Sequence, residues 1–239
     1  MVKKIKNIIH LLRARQWYKN GLVFVGAFFS GKMFFISLWL LLISGFIILC
    51  CASSINYIIN DLMDIEKDKS HPEKFKKRPL ASGEISIFFA ILILLGLTGI
   101  IIFLIIFLIL PNWNFIFMII LVLITGQLYN FIFKHYAFVD ILSLSMIYLW
   151  RALAGCFLIE VFISPWLFLA IFELALFLVI AKRKGDLILM GDEKAKEHKK
   201  SYNVYSIQIL DQFHIIIAVS LFITYSLYLI FHFQLFSSE

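Results

Sequence analysis

The sequence predicts an all-α fold, a polytopic membrane helix bundle of about seven transmembrane helices, and three observations carry that expectation. Of the 239 residues, 62% are hydrophobic and only 15% charged, where a soluble domain carries about 25% charged residues. With Phe at 26 positions and a mean hydropathy of +0.94, the chain cannot cover itself with polar side chains, so lipid must be its solvent. The apolar residues also fall into stretches close to the roughly 20 residues that a helix needs to cross a bilayer. Finally, twenty of the 22 Lys and Arg residues fall on one side of a seven-span arrangement, the bias that marks cytosolic loops.

The first stretch, 14–30, is short and begins among Arg15, Trp17 and Lys19. The basic start runs straight into it without the apolar core and small-residue cleavage site of a secretory leader, so no cleaved leader is expected. Stretches 34–60, 85–109, 113–131, 138–159, 165–181 and 206–233 follow. Two connections are tight, Pro111-Asn112-Trp113-Asn114 and Ile163-Ser164-Pro165, and these face outward. Two others are long, 61–84 and 182–205, and these are cytosolic. No Gly/Ser linker or repeat divides the chain, so residues 1–239 are expected to form a single transmembrane domain in the cell membrane, with its N-terminus in the cytosol.

The net charge of +7 follows from this topology, and a polybasic inner face also attracts anionic lipid head groups. Nucleic-acid binding is excluded as a class, because the basic residues are scattered over loops with no stacking platform. Cys50, Cys51 and Cys156 lie within apolar stretches without metal-ligand spacing and suit packing.

The second stretch runs out into Asn60, Asp61, Asp64, Glu66 and Asp68. If the helix continues, Asn60, Asp61, Asp64 and Asp68 sit close to one face. Like charges on one face destabilise a helix unless they are neutralised, and carboxylate oxygens sharing a hard cation with a substrate phosphate are the usual solution for Mg²⁺. The alternative is a solvated acidic stretch paired with Lys67 and Lys69, worth little individually. Beyond it, Pro72 and Pro79 break the helix, and Lys74, Lys76, Lys77 and Arg78 bring cations near the acids, an arrangement suited to a diphosphate leaving group. A lysine-rich membrane-surface patch is the competing reading. Arg78, fixed beside Pro79, is the cation with the most defined place.

A second group lies further on. Asp140 and Arg151 are eleven residues apart and nearly in phase on one helical stripe with Ser143, Leu144, Ile147 and Gly155. An intramembrane arginine must face the bundle interior or a watery cavity and pair with an anion. That anion is either a substrate phosphate or a structural partner such as Glu173. Lys182, Arg183 and Lys184 either meet substrate or anchor the sixth stretch.

Taken together, the motifs resemble those of the UbiA superfamily. They comprise Asn60-Asp61-x-x-Asp64-x-Glu66-x-Asp68, His71-Pro72-x-Lys74, and Arg78-Pro79-x-Ala81-Ser82-Gly83. They are joined by Arg13-Ala14-Arg15-Gln16-Trp17-Tyr18-Lys19-Asn20, by Tyr129, Lys134, Asp140 and Arg151-Ala-Leu-Ala-Gly155, and by Lys182-Arg183 with Asp186. The likeness is closest to the decaprenyl-phosphate phosphoribosyltransferase branch, with Ala14 where that branch has Pro and seven spans where the family usually has nine.

The resemblance implies a shortened UbiA-like fold and a Mg²⁺-dependent transferase. Asp61, Asp64 and Asp140 would be catalytic, and Asn60, Asp61, Asp64 and Asp68 would hold the metal. Lys19, Asn20, Asn60, Lys74, Arg78, Tyr129, Lys134, Arg151, Lys182 and Arg183 would bind substrate. In that branch the donor is phosphoribosyl diphosphate and the acceptor a polyprenyl phosphate, whose second ionisation near pH ~6 leaves it a ready nucleophile at neutral pH. Prenyl transfer to an aromatic acceptor is the alternative enzyme, and a small cation transporter or structural membrane subunit the alternative class. Transport would call for broken helices with charge at midplane, whereas most acid here lies at a helix end.

Overall fold

A computed structural model describes residues 2–69, 75, 77–190 and 200–232. Among these residues the regular structure is helical, and six helices are long and apolar enough to cross a membrane. The chain divides into two compact units, Met1–Gln127 with Leu153–Val161, and Leu128–Ala152 with Phe162–Glu239.

The first unit opens with α1 (Val2–Leu11), a 3-10 helix over Ala14–Phe24 and α2 (Val25–Phe29). It continues with α3 (Trp39–Met63), α4 (Ile65–Lys69), α5 (Ile87–Leu104, closed by a π turn over Ile105–Ile109) and most of α6 (Trp113–Phe131). The last turns of α7 (Val139–Leu158) complete it.

The expected stretch 14–30 is not one α-helix, yet it runs antiparallel along the whole of α3. Arg13 meets Asp61, Trp17 meets Ser54, Asn20 meets Cys50 and Ser53, Phe24 meets Trp39, and Ala27 packs with Leu42. Its 11 residues of 3-10 helix rise about 2.0 Å each and its 5 α-helical residues about 1.5 Å each. Together they reach about 30 Å, the thickness of the hydrocarbon core. The steeper 3-10 rise lets a stretch too short for an α-helical span reach that length.

Close backbone packing holds this segment in place. A Cβ on Gly155 would lie 1.8 Å from the Val23 carbonyl oxygen, and one on Gly26 2.5 Å from Cys156 Sγ. Asn56 of α3 donates to the Val122 carbonyl and accepts from Gln127, interhelical bonds of the kind that tie membrane helices. Elsewhere the surface is apolar, with Phe88 72% and Leu95 64% exposed on α5, as expected where lipid is the surroundings.

The second unit holds the start of α7, α8 (Pro165–Met190) and α9 (Ile207–His232). The last two pair antiparallel: Trp166 stacks on Phe231, Ser220 donates to Glu173, Phe177 touches His214 and Lys184 pairs with Asp211. Helix α8 continues nine residues past the expected end at 181. Lys182-Arg183-Lys184 ends the apolar run, but Lys and Arg are good helix formers, so the helix continues past them. The 61–84 connection likewise begins as helix, through Met63 and then α4.

Candidate functional site

At the end of α3 the backbone leaves ideal helix at Asp64 (φ −95°, ψ 10°). The hydrogen-bond ladder nevertheless carries on, from Asp64 N–H to Asn60 O at 3.0 Å and from Asp68 N–H to Asp64 O at 2.8 Å. Asp61 and Asp68 therefore stay two turns apart on one side, and a single guanidinium serves both. Arg78 Nη1 donates to Asp61 Oδ1 at 2.9 Å and to Asp68 Oδ2 at 2.5 Å. Arg13 Nη2 donates to the same Asp61 oxygen at 2.5 Å.

The carboxylates are nearly sealed, with side chains 3% and 2% exposed, while Arg13 and Arg78 remain 24% and 20% exposed. Buried carboxylates survive only when paired, and here Arg13 and Arg78 both hold Asp61 while Arg78 also reaches Asp68. Arg13 sits in the left-handed region (φ 50°, ψ 43°) between α1 and the 3-10 helix. Its guanidinium lies 4.5 Å from the Tyr57 ring centroid, and Tyr57 in turn donates to Gln16 at 2.8 Å. Trp17 donates to Ser54, which donates to the Leu12 carbonyl. The Gln16-Trp17 pair thus pins the N-terminal segment onto α3 beside the acids.

Over the carboxylates lies a cleft of ≈ 360 Å³ whose lining includes Ile9, Arg13, Arg15, Lys77, Arg78 and Asp61. Asp64 is partly exposed, 3.9 Å from Lys67, and Asn60 is half-buried. Asn20 is 1% exposed, its amide donating to Cys50 Sγ and accepting from Ser53, so in this arrangement it fixes the segment to α3. Lys19 donates to Gln16 at 3.4 Å. Lys74 lies outside the described residues.

Among the described residues no three His, Cys, Asp or Glu side chains converge as a metal cage. The donors offered by Asn60, Asp61, Asp64 and Asp68 are all oxygen, the type that a hard divalent cation takes, and Arg13 and Arg78 stand beside two of them as substitute cations. In donor chemistry the group fits Mg²⁺.

In the second unit the polar centre is Asp140, 0% exposed in the first turn of α7. Arg183 Nε lies 3.0 Å from its carboxylate, Tyr205 donates to it, and Ser201 donates at 3.5 Å. The Tyr205 hydroxyl also accepts from Phe138 N–H at 2.7 Å, where Phe138 has a left-handed φ of 63°. Arg183 donates to Tyr129 at 3.1 Å and Tyr202 at 3.4 Å, and Tyr202 donates to Asp186 at 2.7 Å. Burial first of all raises both phenols above their ordinary range. The bond to Asp140 adds to this for Tyr205, and for Tyr202 the Arg183 charge partly offsets it.

Asp140 is thus joined to Arg183. Arg151 is buried at 6% with its guanidinium 5.5 Å from the Tyr148 ring, while Glu173 accepts from Ser220. Lys182 is exposed, and Lys134 lies half-buried in the short turn Phe133–His135.

Of the residues singled out in the sequence, Asp61, Asp68 and Arg78 meet in the first unit, and Tyr129, Asp140 and Arg183 in the second. Arg13, Gln16, Tyr57, Tyr202 and Tyr205 belong to these clusters without having been singled out as site residues. Arg13 and Gln16 stand in the N-terminal motif, whereas Tyr202 and Tyr205 carry no sequence signal beyond their place after the charged stretch that ends at Lys200.

Comparisons with known proteins agree with this architecture. The profile of the UbiA prenyltransferase family matches residues 21–238. The decaprenyl-phosphate phosphoribosyltransferase of Mycolicibacterium smegmatis is 31% identical over 229 residues, covering 94% of this chain and 70% of the relative. That of Mycobacterium tuberculosis is 29% identical over 209 residues, covering 84% and 67%. A solved UbiA homolog from Archaeoglobus fulgidus, bound to DMAPP and Mg²⁺, superposes with a TM-score of 0.68 at 20% identity, covering 91% of this chain and 78% of that one. Helices that cross a membrane, a family profile over nearly the whole chain and relatives sharing most of their length leave one conclusion: this chain is a multi-pass membrane transferase of the UbiA prenyltransferase family.

Proposed function

We propose that the chain transfers phosphoribose from phosphoribosyl diphosphate to a polyprenyl phosphate, releasing diphosphate, at the cytosolic face of the cell membrane. The observation that carries this reading is the cleft over Asp61, where Arg13, Arg15, Lys77 and Arg78 set four cations against one carboxylate. Such a wall suits a soluble donor dense in phosphate charge, and the phosphoribosyltransferases among the relatives supply the donor's identity by analogy.

Arg13, Arg15, Lys77 and Arg78 bind the diphosphate oxygens and spread the charge that collects as the bond to ribose breaks. Asn60, Asp61, Asp64 and Asp68 are the residues that would hold Mg²⁺, which when bound supplies a Lewis acid to the leaving group. The acceptor phosphate arrives already ionised, so its oxygen attacks C1 of the ribose without a strong protein base. Asp140 acts as a positioning residue, because full burial keeps it from substrate while it holds Arg183. Lys19, Lys74, Tyr129, Lys134, Arg151 and Lys182 are proposed as the remaining substrate-binding positions, while Asn20, buried against Cys50 and Ser53, positions the segment that carries Lys19.

Purified protein supplied with Mg²⁺, polyprenyl phosphate and labelled phosphoribosyl diphosphate tests the reading, and label is expected in the lipid phase. The solved neighbour bound to DMAPP and Mg²⁺ favours a second reading, prenyl transfer to an aromatic acceptor. That reaction taking place while the phosphoribosyl label stays in water would replace the first reading with the second. An ion flux in vesicles with neither donor consumed would remove both.

A further inference from the structure

We infer that Arg13 and Arg78 are guard cations: they occupy Asp61 and Asp68 while the site is empty and transfer to diphosphate oxygens when a divalent cation takes the carboxylates. The inference rests on the proposed use of a cation and a diphosphate, and it adds how the chain keeps the acids from binding a cation alone.

Three features of the geometry carry it. The same oxygen, Asp61 Oδ1, accepts from both guanidiniums, so a cation approaching Asp61 there must displace at least one of them. The guanidiniums are several-fold more exposed than the acids they cover and line the cleft, so a ligand entering there meets arginine first and carboxylate second. Neither arginine is locked inside a regular helix. Arg13 occupies a left-handed junction between two elements, and Arg78 precedes Pro79 in non-helical backbone.

Charge balance then dictates the order of events. A divalent cation by itself would push guanidiniums off the acids and leave them facing a cleft already lined by Arg15 and Lys77. Diphosphate by itself would draw the guanidiniums away and strip the buried Asp61 carboxylate of the two cations that hold it, which is strongly unfavourable. When both enter, each displaced group finds an opposite charge: carboxylates with the cation, guanidiniums with the diphosphate. The site therefore favours the pair over either ion alone, a positive coupling that is reciprocal by linkage.

The test reads binding, not turnover. Mg²⁺ is titrated into purified full-length protein by calorimetry, alone and with inorganic diphosphate, after correction for the complex the two ions form in free solution. The unaltered protein is expected to bind Mg²⁺ at least about tenfold tighter when diphosphate is present. Arg13→Gln removes one charge-assisted bond from Asp61 and is expected to tighten binding of Mg²⁺ alone by about tenfold, the scale of such a bond. Arg15→Gln removes the same charge from the same cleft but no bond to a carboxylate, so its effect is expected to stay within about twofold, the scale of a screened exposed charge.

Equal effects of Arg13→Gln and Arg15→Gln overturn the inference, since general electrostatics would then explain both. Equal Mg²⁺ affinity of the unaltered protein with and without diphosphate also overturns it, and this arm stands even if Arg13→Gln fails to fold. A chain that transfers phosphoribose yet binds Mg²⁺ independently of diphosphate loses only the guard. A chain that binds neither ion loses the proposed function as well.

Discussion

Asp61 concentrates the residue-scale physics of this protein: one carboxylate, 3% exposed, at the mouth of an apolar helix, held by guanidiniums from two distant segments. Arg78→Gln removes its bond to Asp61 and the Asp68 bond together, leaving acid charge buried with less compensation. Breaking a fully buried pair from one side destabilises by about 3–5 kcal/mol, and the part-exposure of Arg78 brings the expected loss below that range, to about 2–3 kcal/mol. Thermal unfolding in detergent against the parent protein measures it. Gly155→Ala is expected to be damaging for a reason unrelated to charge. The new Cβ would sit 1.8 Å from the Val23 carbonyl oxygen, a backbone atom that no rotamer change can move, so a loss of about 1–3 kcal/mol or more is expected. An unchanged melting temperature for Gly155→Ala would mean that the 3-10 segment is free to slide. Side-chain spacing made the acids legible in the sequence. Gly155 was legible only as a stripe position, because close backbone approach leaves no trace in composition. Arg13 was visible within a motif, but nothing in the chain order says that a residue 48 positions away completes the pair.

At the scale of elements, the apolar stretches foretold six long helices closely, since length and hydropathy are local quantities. Two boundaries differ for physical reasons. The first stretch runs along α3 mostly as 3-10 helix, whose steeper rise cannot be inferred from hydropathy, and α8 outlasts its apolar run because lysine and arginine keep helical backbone outside the hydrocarbon. The second unit's polar network was hidden because it is made by folding the 200–205 segment back onto α7 and α8. Tyr205 is its keystone, joining Phe138 N–H and Asp140 through one hydroxyl. Tyr205→Phe deletes that hydroxyl in a buried setting and is expected to cost about 1–3 kcal/mol. A pH signature accompanies it. Because burial raises the Tyr205 and Tyr202 phenols in the folded chain, their contribution is complete below the unfolded phenol value of about 10 and is lost as pH climbs beyond it. Unfolding measured from pH 7 to 11 should therefore show a plateau and then an alkaline decline, shallower in Tyr205→Phe. An identical slope in both proteins would place the hydroxyl outside the folded network.

For the whole molecule, the one-sided distribution expected for twenty cations from the sequence and the parity of the spans have to agree with where the chemistry sits. The 3-10 segment, which runs the length of α3, bears directly on that agreement. If residues 14–29 did not cross, the N-terminal lysines and Arg13 would lie at the Trp39 end of α3, yet Arg13 bonds Asp61 at the other end and Lys3 pairs with Glu84 at 3.1 Å. The acid end of α3, the N-terminal helix and the 77–84 segment therefore share one side, the side that we propose faces the cytosol under the positive-inside rule. On that proposal the connection before α6, one span further on, faces outward. Cysteine placement tests this directly, since Cys50, Cys51 and Cys156 are buried and give little background. Lys67→Cys, at a position whose side chain is 85% exposed, is expected to react with a membrane-impermeant maleimide only after cells are opened. Asn114→Cys, at an exposed position at the start of α6, is expected to react in intact cells. The reverse pattern would put the cationic cleft on the outer face, where a soluble phosphorylated donor made in the cytosol could not reach it, and the proposed reaction would fail on topology alone.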